Sequence, residues 1–141
     1  MVRLEHANLH AADVDGMVRF LKMAFPEFEV RADRVGEDGI RWVHVGTPET
    51  YIAVYAASRE PAHKRELYNG EPQVNHLGYV VDDVEALRAR LRSGGYRDAT
   101  VENHHAHRKR IYFEDPEGNE WEFVEYFSED PAERNDYQWA G

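Results

Sequence analysis

Residues 4–21, LEHANLHAADVDGMVRFL, and residues 74–91, VNHLGYVVDDVEALRARL, are two copies of one pattern. His6 falls on His76, Asp13 on Asp83, Val14 on Val84 and Asp15 on Glu85, each at an offset of 70 in a chain of 141 residues. A repeat at half the chain length sets the architecture before any single element is considered, because each copy must be one structural unit.

Working outward from these stretches, each half runs in the same order: an alternating strand, an Asp, an amphipathic helix, then shorter alternating segments. In the second half, 74–81 reads as a strand, and Asp82 or Asp83 stands where a carboxylate caps a helix N-terminus. Val84, Leu87 and Leu91 form a helical apolar stripe. Gly94-Gly95 ends it, since Gly takes positive φ at little cost. Strands are expected near 97–101, 109–114 and 119–126, with Asp115-Pro116-Glu117-Gly118 as turn chemistry between the last two. The first half gives a helix near 14–24 and strands near 28–31, 40–45 and 51–56. The class is therefore α+β, with two βαβββ modules in a single domain 1–141. The first module spans 1–57, a linker 58–73, the second module 74–127 and a polar tail with a last short helix 128–141.

Composition narrows the function. The formal net charge is −10, and the one dense basic cluster is Arg108, Lys109 and Arg110, so a nucleic-acid partner is not expected. Cysteine is absent, which removes disulfides, thiolate metal sites and cysteine nucleophiles and fits a reducing compartment. The N-terminal residues lack the basic-then-apolar order of a signal peptide, and no apolar run approaches the ~20 residues that span a bilayer. A cytoplasmic location without a membrane partner is the expectation.

Side chains alternate across strands. His6, Asn8 and His10 oppose Ala7 and Leu9; His76, Gly78 and Val80 oppose Leu77, Tyr79 and Val81. In the last strand Glu120, Glu122, Val124 and Tyr126 oppose Trp121 and Phe123, and in the strand before it Arg110, Tyr112 and Glu114 oppose Ile111 and Phe113. One face suits the helices and the other is polar. Solvation accounts for Glu114, Glu120 and Arg110. It accounts less well for two histidines at equivalent repeat positions that share a face type with Glu122. Two His and one carboxylate leave about three positions of an octahedral metal open, the pattern associated with non-haem iron, and open positions are what metal catalysis needs.

The segments LEHANLHAADVDGMVRFL, VNHLGYVVDDVEALRARL and IYFEDPEGNEWEFVEY resemble the vicinal oxygen chelate superfamily, which includes glyoxalase I, fosfomycin and bleomycin resistance proteins, extradiol dioxygenases and methylmalonyl-CoA epimerase. The resemblance spans 4–127. It implies that the modules form a curved mixed sheet with helices outside and a concave face that holds one divalent metal. It implies His6, His76 and Glu122 as ligands of Fe(II) or Mn(II), with Zn, Ni or Co as other occupants. Bleomycin-sequestering relatives generally lack these ligands. Where glyoxalase I enzymes place a further ligand, this chain has Ile52 or Ala53, so the three-ligand pattern of extradiol dioxygenases and fosfomycin-modifying enzymes is the better match.

The run Asn103-His104-His105, Ile111-Tyr112, Asp115-Pro116-Glu117-Gly118, Glu122 is similar to an extradiol dioxygenase signature. By that resemblance Tyr112 and His105 are candidate catalytic groups on a small substrate that chelates through vicinal oxygens. The aligned position of the family's acid–base His reads Glu49-Thr50-Tyr51, which leaves His10, His44 and His63 as candidate bases. A dioxygenase-like enzyme is the leading expectation. A glyoxalase, epimerase or fosfomycin-type lyase or transferase with a redox-inert metal comes second, with Arg108, Lys109 and Arg110 holding an anionic substrate. A non-catalytic ligand-binding protein comes third. The family also implies a homodimer, and from their aromatic character Tyr137 and Trp139 of the tail are expected to seal its interface.

Overall fold

The structure is a computed structural model that describes residues 1–138, so Trp139 lies outside the described residues. The described chain forms two compact units, 1–67 and 68–138, divided within the linker.

In the first unit, β1 (His6–Ala11) leads into α1 (Val14–Ala24), followed by β2 (Glu29–Val35), β3 (Arg41–Gly46) and β4 (Tyr51–Ala56). The Asp13 carboxylate accepts the Gly16 N–H at 2.8 Å and starts the helix where the sequence places it. The sheet runs β1-β4-β3-β2, with β1 parallel to β4 and the other pairs antiparallel. Met17, Phe20 and Leu21 of α1 are buried together with Phe28, Val43, Val45, Ile52 and Val54. Strand β2 runs to Val35, four residues past its expected end. It pairs with β3 through a register shift between Val30 and Ala32, and such a bulge breaks the alternation by which a strand is recognised.

The second unit repeats the plan with β5 (His76–Val80), α2 (Val84–Ser93), β6 (Arg97–Asp98), β7 (Arg108–Glu114), β8 (Glu120–Tyr126) and the short α3 (Pro131–Arg134). Its sheet runs β5-β8-β7-β6, again with one parallel pair, β5 and β8. The α+β class and the two βαβββ modules are as read from the sequence, each module carrying its own four-stranded mixed sheet. Asp83 caps α2 through Ala86 N–H at 2.9 Å, and Gly95, at φ 81°, turns the chain out of it. Leu87 and Leu91 are buried with Ile111, Phe113, Trp121 and Phe123.

Strand β6 is three residues shorter than expected, because side chains replace the backbone ladder. The Asp98 carboxylate accepts from Arg88 (2.7 Å) and Arg92 (2.8 Å) on α2 and from Thr100 N–H (3.0 Å). The Thr100 hydroxyl oxygen in turn accepts the Tyr112 N–H at 3.0 Å.

Candidate functional site

Residue pairing delivers the second-unit site. Glu122 lies opposite Gly78 on one side and Tyr112 on the other, while Glu120 lies opposite His76. His76 Nε2 stands 2.9 Å from Glu122 Oε2, and the side chains are 32% and 13% exposed. The Tyr112 ring meets the His76 ring edge-on at 5.8 Å. Burial, then the nearby Glu122 charge, pushes the Tyr112 hydroxyl up to about 12, so it stays protonated and donates.

Glu120, which the sequence reading left in solvent, and Tyr68 of the linker belong to this cluster. The Glu120 side chain is 12% exposed and accepts a short hydrogen bond from the Tyr68 hydroxyl. Tyr68 also meets His76 Nδ1 at 2.8 Å. Burial and the bond to Glu120 push the Tyr68 hydroxyl well above the ordinary tyrosine range. An open cavity of about 520 Å³ is lined by Tyr68, His76, Arg110, Tyr112, Glu120 and Asn103, among others. Asn103 donates through Nδ2 to Val101 O at 3.0 Å, and its Oδ1 is buried without a hydrogen-bond partner. Glu114, read as solvated, is partly exposed and pairs with Arg97 at 2.9 Å. The signal for Glu120 was available, since it shares the face of Glu122 at a spacing of two. Tyr68 was a lone aromatic in a polar linker and carried no such signal.

His105 does not line this cavity. Its side chain is 3% exposed; Nδ1 accepts the His107 N–H at 3.1 Å, and Nε2 lies 3.9 Å from Asp136. The ring that the dioxygenase-like run would place at a substrate is thus buried away from the cavity. Arg108 is buried too, donating to Arg134 O at 3.1 Å with its guanidinium 5.0 Å from the Tyr137 ring, and Lys109 pairs with Glu85. Of the basic run, Arg110 alone lines the cavity.

In the first unit, His6 stacks on Tyr51 at 4.8 Å, and Tyr51 also carries His44 at 4.7 Å and the Arg31 guanidinium at 4.2 Å. Burial, then Arg31 and His6, lowers the pKa of His44 below the ordinary histidine value, so it stays neutral to lower pH. His10 meets Tyr55 edge-on at 6.2 Å, and His63 is exposed in the linker. Ile52 and Ala53 are both buried.

The His76–Glu122 contact is an ion-pair distance that is also the spacing of two neighbouring ligands of a divalent metal. Two ligands bound at right angles about 2.1 Å from a metal lie about 3 Å apart, and His76 Nε2 and Glu122 Oε2 are 2.9 Å apart. Among the described residues, neither unit by itself gathers three or more His, Asp or Glu groups able to hold a metal ion. No helix among the described residues is long and apolar enough to cross a membrane.

Two βαβββ modules, each a four-stranded mixed sheet with a helix, define an α+β class of fold. The chain belongs to the Glyoxalase/Bleomycin resistance protein/Dioxygenase superfamily, whose family profile matches residues 3–123. Among solved structures it is similar to a glyoxalase family protein from Bacillus cereus, with 13% identity, TM-score 0.72 and coverage of 91% of this chain and 96% of that one. A glyoxalase/bleomycin resistance protein/dioxygenase domain from a Frankia species shares 16% identity, with TM-score 0.71 and coverage of 96% and 99%. The genomically encoded fosfomycin resistance protein FosX from Listeria monocytogenes, solved with Mn(II) and sulfate, shares 16% identity, with TM-score 0.67 and coverage of 96% and 99%. No curated protein matches the chain.

Proposed function

We propose that this protein is a metal-dependent enzyme whose small substrate presents two adjacent oxygens. The observation that carries the reading is the 2.9 Å approach of His76 Nε2 to Glu122 Oε2 beside a cavity lined by Tyr112 and Arg110. His76 and Glu122 are the proposed ligands, and His6 is proposed as a third on the strength of the repeat. A divalent metal held there supplies a Lewis acid for negative charge developing on the substrate oxygens. Tyr112 keeps its proton at neutral pH and donates a hydrogen bond to such an oxygen. Arg110 attracts an anionic substituent.

Redox-inert chemistry, of the lyase, isomerase or transferase kind, is the version the geometry supports best. The oxygen-dependent version calls on His105 at the substrate, and that ring is buried and does not line the cavity. The Mn(II) in FosX is compatible with the redox-inert version. The dioxygenase-like reading keeps one supporting observation, Tyr112 in the cavity wall. The two are separated by assaying Mn(II)-, Zn(II)- and Fe(II)-loaded protein with panels of phosphonate epoxides, hemithioacetals and catechols, with and without oxygen. Turnover that persists with Zn(II) or Mn(II) under anaerobic conditions is expected. Turnover confined to Fe(II), with stoichiometric oxygen uptake, would overturn the redox-inert version.

A further inference from the structure

The first unit's sheet buries one face and leaves the other without a packing partner in that unit. Val43, Val45, Ile52 and Val54 are buried on the side of α1. Alternation sends the residues between them to the opposite face: Trp42 and His44 from β3, Tyr51 and Tyr55 from β4. Strand β1 adds His6, Asn8 and His10. A solvated face ordinarily carries Lys, Glu and Thr. Here aromatic and imidazole rings take their place, and no acid stands at any of these positions in a chain of net charge −10. Trp42 and Tyr55 lie opposite one another in the ladder, and their ring planes are within 18° of parallel at a centroid separation of 6.2 Å. Both are partly exposed. Rings already ordered by cross-strand pairing lose little freedom when another flat ring lies against them.

Beside these rings stands a cation without a carboxylate. The Arg31 guanidinium lies 4.2 Å from the Tyr51 ring centroid and makes no ion pair among the described residues. Neighbouring arginines are committed: Arg41 pairs with Asp15 and Asp33, and Arg3 with Glu49. A guanidinium lying on an aromatic ring keeps its N–H edge for a carboxylate or a similar anion. We propose that the face of the first unit opposite α1 binds a planar aromatic anion, with Trp42 and Tyr55 as the stacking platform and Arg31 as the anion contact. An aliphatic anion would meet the charge but not the rings, and a neutral arene the rings but not the charge. His6 stands on the same face, so calling this ligand a substrate rests on the metal-site reading above; the binding itself needs no metal.

The test titrates the full, metal-free chain with naphthoate, with its saturated analogue decahydronaphthoate and with uncharged naphthylmethanol, following backbone amide signals by NMR. Naphthoate is expected to shift amides of β3 and β4 saturably, and decahydronaphthoate to bind at least about 10-fold more weakly. Arg31→Gln is expected to weaken naphthoate about 5-fold and to leave naphthylmethanol unchanged. Trp42→Ala is expected to weaken both arenes about 10-fold, and Trp42→Phe, which keeps a ring, only about 2-fold. Should the alanine variant fail to fold, the phenylalanine and Arg31 variants still decide. Equal affinity for naphthoate and its saturated analogue, or shifts confined to residues outside β3 and β4, overturns the inference. Signals of this face that broaden with protein concentration alone show a second copy seated there and overturn it too. A chain that binds naphthoate and takes up no Mn(II) supports the inference and removes only the word substrate; one that takes up Mn(II) but binds no naphthoate overturns it and leaves the metal-site reading intact.

Discussion

Four N–H donors converge on the Asp115 carboxylate: the backbone of Glu117 and Asn119, the Asn119 amide and the Trp121 indole, all within 2.9 Å. The sequence marks Asp115 as the first residue of a turn. Its role as the buried acceptor that ties the turn to the largest core side chain appears only in three dimensions, because nothing local says that Trp121 folds back on it. Asp115→Ala strands all four donors and is expected to lower stability by about 2–4 kcal/mol, read from the midpoint of urea unfolding; Asp115→Asn, with one acceptor retained, falls between. The pair proposed as ligands was more legible. His76 and Glu122 stood out because two-residue alternation puts histidine and carboxylate on one face, and Glu120 was readable by the same rule had its neighbours been given weight. Tyr68 was not, since a loop residue reaches its partner by a route that periodicity does not encode.

At the scale of elements, the two helices were readable nearly to the residue. Asp13 and Asp83 cap them by local chemistry, and their apolar stripes are short-range signals. Strand lengths were less so, because they depend on pairing partners. Asp98 shows why, ending β6 by binding Arg88, Arg92 and Thr100. Burial alone would raise this carboxyl, but hydrogen bonds from Thr100, Arg88 and Arg92 outweigh it and hold the pKa at about 2. The folded-state value is depressed, so the associated stability is present above the unfolded value of 3.8 and is lost as pH falls from there through about 2. After allowance for solvent screening at exposed Arg92, this amounts to about 1–2 kcal/mol. The stability gap between wild type and Asp98→Asn is therefore expected to narrow between pH 5 and pH 2 in parallel melting curves, and a constant gap would contradict the assignment. The β3–β4 hairpin depends on Gly46, where a Cβ would lie 2.1 Å from Thr50 O and 2.5 Å from Tyr51 Cα. Backbone cannot yield there as a side chain can. Gly46→Ala is expected to lower the melting temperature by several degrees, corresponding to about 2–4 kcal/mol.

At the scale of the whole molecule, the repeat at an offset of 70 is what made the architecture legible. Each copy becomes one four-stranded mixed sheet with its helix against one face, and the same rule sends His6 and His76 to the first positions of β1 and β5. Superfamily membership follows from the chain as a whole; the chemistry does not, because it turns on which groups reach the cavity. His105 illustrates the limit. Its place in a motif-like run suggested a substrate contact, yet the ring is buried off the cavity wall, and no pattern in residues 103–122 could reveal that burial. The central claim is that His76 and Glu122 hold a divalent metal. The most direct measurement is metal content per chain, by elemental analysis of untagged protein purified anaerobically, for wild type beside Glu122→Ala. The prediction is about one divalent ion in the wild type and its loss in the variant. Absence of metal from the wild type even after reloading with Mn(II), or equal content in both proteins, would contradict it.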